Sequence, residues 1–203
     1  MKIALIGATG NIGSKILNEA LNRGHEVTAI VRNTDRLEKR EGVSPQQCDL
    51  AQTDKLTKVI NGNDAVIISV RHKENDVLKV FDACREAGVR RVLVVGGAAS
   101  LEASPGVRLL DTPGFPEEIK VEAQPAADTL DRIRKVTDLD WTFQCPSIII
   151  EPGERTGKFR IGADELLKDE EGNSRISQED FAVAMIDELE NPKHLRKRFT
   201  VGY

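Results

Sequence analysis

An α/β domain with a mostly parallel sheet covered by helices on both faces is the fold class this sequence predicts. Two observations predict it. Apolar runs such as Ala65–Val70 and Arg91–Gly96 lack polar alternation, so both of their faces are covered. Helical patterns separate these runs from the start of the chain almost to its end. The length, 203 residues, suits one domain of generous size, 1–203, whose core needs neither metal nor disulfide.

The first strand is Lys2–Ile6, and a helix is expected over Ile12–Asn22, with Gly24 ending it. A second strand follows at Glu26–Val31, then a short turn near Thr34–Lys39 and a weak third strand at Ser44–Cys48. Helices at Thr53–Ile60 and Asn75–Ala87 bracket the strand Ala65–Val70. After the strand Arg91–Gly96 comes a long helical stretch within Glu117–Lys135, in which Pro125 is expected to start or kink a helix and so place Lys120 on a separate short segment. The strand Trp141–Cys145, the helix Gln178–Glu190 and a short strand Arg198–Val201 complete the set. Ser177 and Asp180 have the spacing of a capping box with a shortened acid. The segments Ala98–Pro116 and Glu151–Asp164 read as the longest irregular loops, and the region 146–176 as a small substrate-side extension.

Between the first strand and the first helix lies Gly7-Ala8-Thr9-Gly10-Asn11-Ile12-Gly13. A glycine triplet in that setting holds a dinucleotide pyrophosphate: one glycine makes the turn, one lets backbone approach phosphate, and one lets helix pack on strand. The phosphates then meet free N–H groups at a helix N-terminus. At the end of the second strand, a carboxylate would bond the ribose hydroxyls of NAD and repel a 2′-phosphate. The chain has Arg32 there, in Val31-Arg32-Asn33, and a guanidinium forks onto phosphate, so NADP(H) is expected in preference to NAD(H). Asp49 and Leu50 follow the third strand, where Asp49 either receives the adenine amino group or caps the helix near Thr53. Ser69 and Val70 close the fourth strand beside the adenylate ribose and pyrophosphate. His72 reads as a solvated loop residue, and His25 and His194 lie away from the expected crevice.

The composition excludes several classes. Net charge is −4, from 29 basic and 33 acidic residues, with only Arg196-Lys197-Arg198 as a basic run, so no nucleic-acid partner is expected. Cys48, Cys84 and Cys145 are three, with no CxxC spacing, which argues against a disulfide framework or a metal site and for reduced thiols in the cytoplasm. No long apolar stretch suggests a membrane span or a signal peptide. Oligomeric state is left open.

Gly7–Gly13, Val31-Arg32-Asn33 and Asp49-Leu50 together resemble the atypical short-chain dehydrogenase/reductases. More narrowly, the chain is similar to the NAD(P)H-binding group that includes NmrA-like proteins, biliverdin-IXβ/flavin reductases and bacterial NADH-flavin reductases. Gly96-Gly97-Ala98, Asp111-Thr112-Pro113, Asp140-Trp141-Thr142, Pro152-Gly153-Glu154-Arg155-Thr156-Gly157 and Ile176-Ser177-Gln178 carry that narrower match. The resemblance implies a Rossmann-type doubly wound sheet in the order 3-2-1-4-5-6-7. It implies that Gly96 and Gly97 flank the nicotinamide ribose and that Pro146, Ser147 and Ile148 line the nicotinamide face. Lys120 falls where the classical family has its ribose-binding lysine; the alternative is a solvated helix lysine. Position 116, where the classical tyrosine acid would stand, is proline, and the chain's one tyrosine is Tyr203.

Without that acid, hydride transfer to a flavin, quinone or similar conjugated acceptor is the expected reaction, because such acceptors spread charge and take a proton from solvent. Flavin would then be a substrate and not a prosthetic group. Arg155, on a loop that Gly153 and Gly157 would let close over the site, either binds an anionic acceptor or is a solvated loop arginine. Cys145 reads as a packing residue. A non-catalytic NAD(P)-binding sensor of the NmrA-like type also accounts for the missing acid, and a nucleotide-sugar epimerase or dehydratase is the third class considered.

Overall fold

The computed structural model describes residues 1–203. Its strands are β1 (Lys2–Ile6), β2 (Glu26–Val31), β3 (Val43–Gln47), β4 (Ala65–Ile68), β5 (Arg91–Val95), β6 (Glu102–Ser104), β7 (Val107–Arg108), β8 (Asp140–Cys145), β9 (Ile149–Glu151), β10 (Arg160–Gly162), β11 (Arg175–Ser177) and β12 (Lys197–Gly202). The helices are α1 (Asn11–Asn22), α2 (Thr53–Ile60), α3 (Leu78–Ala87), α4 (Glu117–Ile133) and α5 (Gln178–Glu190). One eight-stranded sheet runs β3-β2-β1-β4-β5-β8-β12-β10. All its neighbours are parallel except the edge pair β12–β10. The expected seven-strand order is therefore present, in the α/β doubly wound architecture, with one antiparallel edge strand added.

Alternate side chains of the central strands feed two cores. Ala4, Ile6, Val66, Ile68, Val92 and Val94 pack under α2, α3 and α4 in a cluster of 24 buried apolar residues. Ile3, Leu5, Ile67, Leu93 and Phe199 pack under α1 and α5 in a cluster of 22. Near-equal cores on both faces are the reason these strands read as unbroken apolar runs. β3 is the other edge and is mostly exposed, which is where Pro45 is tolerated.

Three expectations change. The segment Glu151–Asp164 is not irregular throughout, because it holds β10; likewise Ala98–Pro116 holds the β6–β7 hairpin. Strands of two or three residues are too short to show a period in sequence. α3 starts at Leu78 and not at Asn75, since residues 71–76 form a loop. α4 is one continuous helix of 17 residues with Pro125 inside it. Lys120 thus lies on α4 and not on a separate segment. Proline lacks the N–H that would bond the Val121 carbonyl, and this loss falls on the exposed side of the helix, where Val121 is 55% exposed.

Candidate functional site

The C-terminal ends of β1, β2, β3 and β4 enclose a cavity of about 520 Å³. Gly7, Thr9, Gly10, Arg32, Asp49, Leu50, Ser69 and Val70 all line it. It lies where the sheet order reverses around β1, the position at which open α/β sheets bind ligands. Ala8, Ile12 and Gly13 belong to the same loop but pack inward, Ala8 within the α1/α5 core and Ile12 against it. Asn11 opens α1 and is exposed.

The three glycines differ in what requires them. Gly7 has φ +84°, and a Cβ there would stand 2.0 Å from the Ser69 carbonyl oxygen. A Cβ on Gly13 would stand 2.1 Å from the Gly7 carbonyl oxygen. Both are demanded by the protein's own packing. A Cβ on Gly10 would meet only the Gly7 carbonyl oxygen, at 3.3 Å. Gly10 nonetheless lines the cavity as the N-cap of α1, with no side-chain cap and no acid in the helix's first turn. The uncapped α1 terminus therefore offers its amides to an anion with no carboxylate in competition. These residues fit a dinucleotide pyrophosphate, and Gly10 is the glycine that leaves it room.

Arg32 is 79% exposed at the rim, and Arg36 and Arg71 line the same cavity. Asp49 borders the cavity and does not cap α2, whose N-cap is Gln52 without a side-chain bond; its Oδ1 instead accepts the Ala51 N–H at 2.8 Å in the turn before the helix. Arg36, Arg71 and Glu74 were not singled out by motif. Their signal was position, on the loops that directly follow β2 and β4.

His72 is not a solvated loop residue. Its Nε2 lies 2.8 Å from the Val95 carbonyl oxygen and its ring packs 5.9 Å from Phe143, while burial lowers its pKa and keeps the imidazole neutral. With the proton on Nε2, the buried Nδ1 is a bare acceptor without a partner. The ring pins the loop after β4 onto β5.

The other half of the expected site is less open. Gly96 donates its N–H to the Gln144 carbonyl, and a Cβ there would stand 2.0 Å from Phe143, so ring packing demands this glycine. Gly97 has only Ala126 nearby, at 3.8 Å from an added Cβ. Pro146 is buried, and Ser147 is buried with its hydroxyl donated to the Val201 carbonyl, so only Ile148 of that triplet is exposed, at 50%. Lys120 sits in the first turn of α4 with Nζ 3.7 Å from Glu117, and it does not line the cavity. Burial pushes the Cys145 thiol up to about 11, as suits a packing cysteine.

Arg155 is the clearest correction. Its guanidinium makes two hydrogen bonds to Glu19 of α1, at 2.7 and 2.8 Å. The segment around it is fastened elsewhere too. Gly153 N–H donates to Glu179, Ser177 Oγ donates to the Glu154 carbonyl, and Thr156 Oγ1 and Gly157 N–H both donate to Asp180. Residues 152–157 form a strap across α1 and α5 and not a closing lid, and Arg155 is committed to Glu19 instead of an acceptor. The Arg155 hydrogen bonds, helped by Arg23 and opposed by burial, hold the Glu19 carboxyl below its ordinary 4.5. A depressed carboxylate adds stability that is present above its unfolded value and is lost as pH falls through the folded one. Arg155→Ala is therefore expected to lose about 1–2 kcal/mol at neutral pH and to show a shallower loss of melting temperature on acidification below pH 4.5. Cofactor and acceptor KM stay unchanged; a raised acceptor KM with unchanged melting would restore the substrate role.

The description of the NAD(P)H-binding family matches residues 7–192. The chain belongs to this family. It is 37% identical to YwnB of Bacillus subtilis, with 99% of this chain and 98% of that one aligned. A Bacteroides thetaiotaomicron structure, provisionally called an epimerase, superposes with TM-score 0.93 at 43% identity over 100% of this chain and 96% of the other. A Streptococcus pneumoniae structure, provisionally called an NADH-flavin reductase, gives TM-score 0.86 at 37% identity over 100% and 99%. The narrower likeness to NADH-flavin reductases thus extends over the whole fold of this family member. No helix is long and apolar enough to cross a membrane.

Proposed function

We propose that this family member is an NADPH-preferring reductase that delivers hydride to a flavin, quinone or similar conjugated acceptor. The observation that supports the reading is a crevice at the glycine loop of an NAD(P)H-binding fold, with proline where the classical tyrosine acid would stand. Pro116 stands four residues before Lys120. The Tyr203 hydroxyl lies 2.9 Å from both Ser177 Oγ and Asp180 Oδ2, inside the strap's own network. His25 and His194 bond Glu190 and Glu188, and Ser100 Oγ points back to the Gly97 carbonyl.

A reaction that localises charge on one oxygen forgoes the roughly 10²- to 10⁴-fold contribution of a general acid in such a site. A conjugated ring needs only orientation and takes its proton from solvent. NADPH supplies the hydride when bound. The chain supplies the seat: Gly10 and the α1 amides for the pyrophosphate, Arg32 and its neighbours for the 2′-phosphate, and the exposed Ile148 as an apolar face for a ring. An epimerase reading has less support, since position 116 is proline and the one tyrosine, Tyr203, is bonded within the strap.

The test is oxidation of NADPH by the purified protein with FMN, riboflavin or a quinone, followed by nicotinamide absorbance. Steady turnover on one of these acceptors is expected. Tight NADPH binding without turnover on any of them would assign a sensor instead. Arg32→Asp is expected to weaken NADPH at least about ten-fold more than NADH, because it replaces a phosphate fork with a like charge. Equal losses for both cofactors would remove Arg32 from phosphate recognition.

A further inference from the structure

We propose that Glu74 tunes cofactor selectivity: its carboxylate sits between Arg32 and Arg71 as a built-in rival of the 2′-phosphate. The inference rests on the reading that this crevice holds NAD(P)H, and it assigns a selectivity role to a residue that contributes no ligand to the phosphate. Glu74 Oε2 lies 4.0 Å from Arg32 Nη1, and Glu74 Oε1 lies 3.7 Å from Arg71 Nη1. All three residues line the crevice, with Arg36 beside them. Arg32 comes from the end of β2 and Glu74 from the loop after β4, so the pair spans the crevice mouth.

The loop holds Glu74 in this place. Glu74 N–H donates to the Arg71 carbonyl at 3.3 Å, and Asn75 Nδ2 donates to the same carbonyl at 2.8 Å. His72 points inward and fastens the loop to Val95. Lys73, on the outer side, pairs with Glu122 of α4 at 2.9 Å. Arg71 and Glu74 are thereby presented together toward the crevice.

A 2′-phosphate entering between Arg32 and Arg71 meets a fixed negative charge and must share or displace it. A 2′-hydroxyl at the same place meets a hydrogen-bond acceptor and no repulsion. Glu74 therefore narrows the gap between NADPH and NADH that the arginines alone would create. The side chains are exposed, at 79% for Arg32 and 46% for Glu74, so the effect is modest and screened by salt.

The experiment compares the unmodified protein and Glu74→Gln by calorimetric titration with 2′,5′-ADP and 5′-AMP, which differ only in the 2′-phosphate. Glu74→Gln is expected to bind 2′,5′-ADP about 3- to 10-fold more tightly at low salt, with 5′-AMP changed less than about two-fold. At high salt the gain shrinks. An unchanged 2′,5′-ADP affinity, or the same gain for both probes, would overturn the role of Glu74 while leaving the crevice as a nucleotide site. If the unmodified protein binds neither probe nor NADPH nor NADH, the cofactor reading itself fails, and this inference with it.

Discussion

Gly7→Ala is expected to lower the melting temperature and abolish cofactor binding, whereas Gly10→Ala keeps the melting temperature and loses binding alone. The two glycines lie three residues apart in one loop, and a motif treats them alike. Gly7 sits at φ +84°, where a side chain costs about 1–2 kcal/mol by itself. Its new Cβ would also stand 2.0 Å from the Ser69 carbonyl oxygen, a backbone atom that cannot rotate away. β1 and β4 would have to separate at the floor of the crevice. A total of about 3 kcal/mol or more follows, which for a chain of this size is roughly a 6–12 °C drop. At Gly10 the new methyl meets one oxygen at 3.3 Å, which a small shift relieves, and otherwise occupies the crevice wall. Thermal melting and NADPH titration of both variants make the comparison. A Gly10→Ala protein that melts early, or that binds NADPH normally, would show that Gly10 does not make room for the phosphates.

Asp180→Ala carries the second large effect, and it falls on the strap. Asp180 is fully buried at the start of α5. Its carboxylate accepts from Thr156 Oγ1 at 2.5 Å and Gly157 N–H at 2.8 Å, and it faces the Tyr203 hydroxyl at 2.9 Å. Truncation removes a buried charged acceptor from the exposed Thr156 and Gly157 donors and from the half-buried Tyr203 hydroxyl, a loss of about 1.5–3 kcal/mol. The melting temperature is expected to fall by roughly 3–12 °C, and limited proteolysis is expected to cut first within residues 152–158. Asp180→Asn keeps one acceptor oxygen and should lose about half as much. Binding of 5′-AMP is expected to stay intact in both, because the strap does not line the crevice. An Asp180→Ala protein with unaltered melting and proteolysis would mean the strap is held by Arg155 and the strand pair β9–β11 instead.

The strap shows where sequence reasoning reached its limit. Pro152-Gly153-Glu154-Arg155-Thr156-Gly157 puts two glycines and an arginine on a loop, which fits a lid as well as a fastening. The difference lies in Glu19, Glu179 and Asp180, which come from two other helices. His72 is a similar case. Its neighbours in sequence are charged, so it read as solvated, yet its ring turns inward to reach Val95 across the sheet. Pro125 illustrates the reverse limit: a local rule predicted a helix start or a kink that sets Lys120 on a separate segment, and one helix runs from Glu117 to Ile133 through it.

From the amino-acid order alone came the strand and helix spans, the parallel sheet and the dinucleotide loop. Each depends on interactions within a few residues: apolar periodicity, a helix start beside glycine, a strand covered on both faces. The bounds of β1, β2, α2 and α5 were legible to the residue for that reason. Only the tertiary structure decided that packing demands Gly7 and Gly13 while Gly10 faces the crevice, that Arg155 pairs with Glu19, and that Glu74 stands between Arg32 and Arg71. Those are pairings between segments brought together by strand order. A parallel sheet sets the loops after β2 and β4 on either side of β1, and which side chains meet across that gap is written in no local pattern.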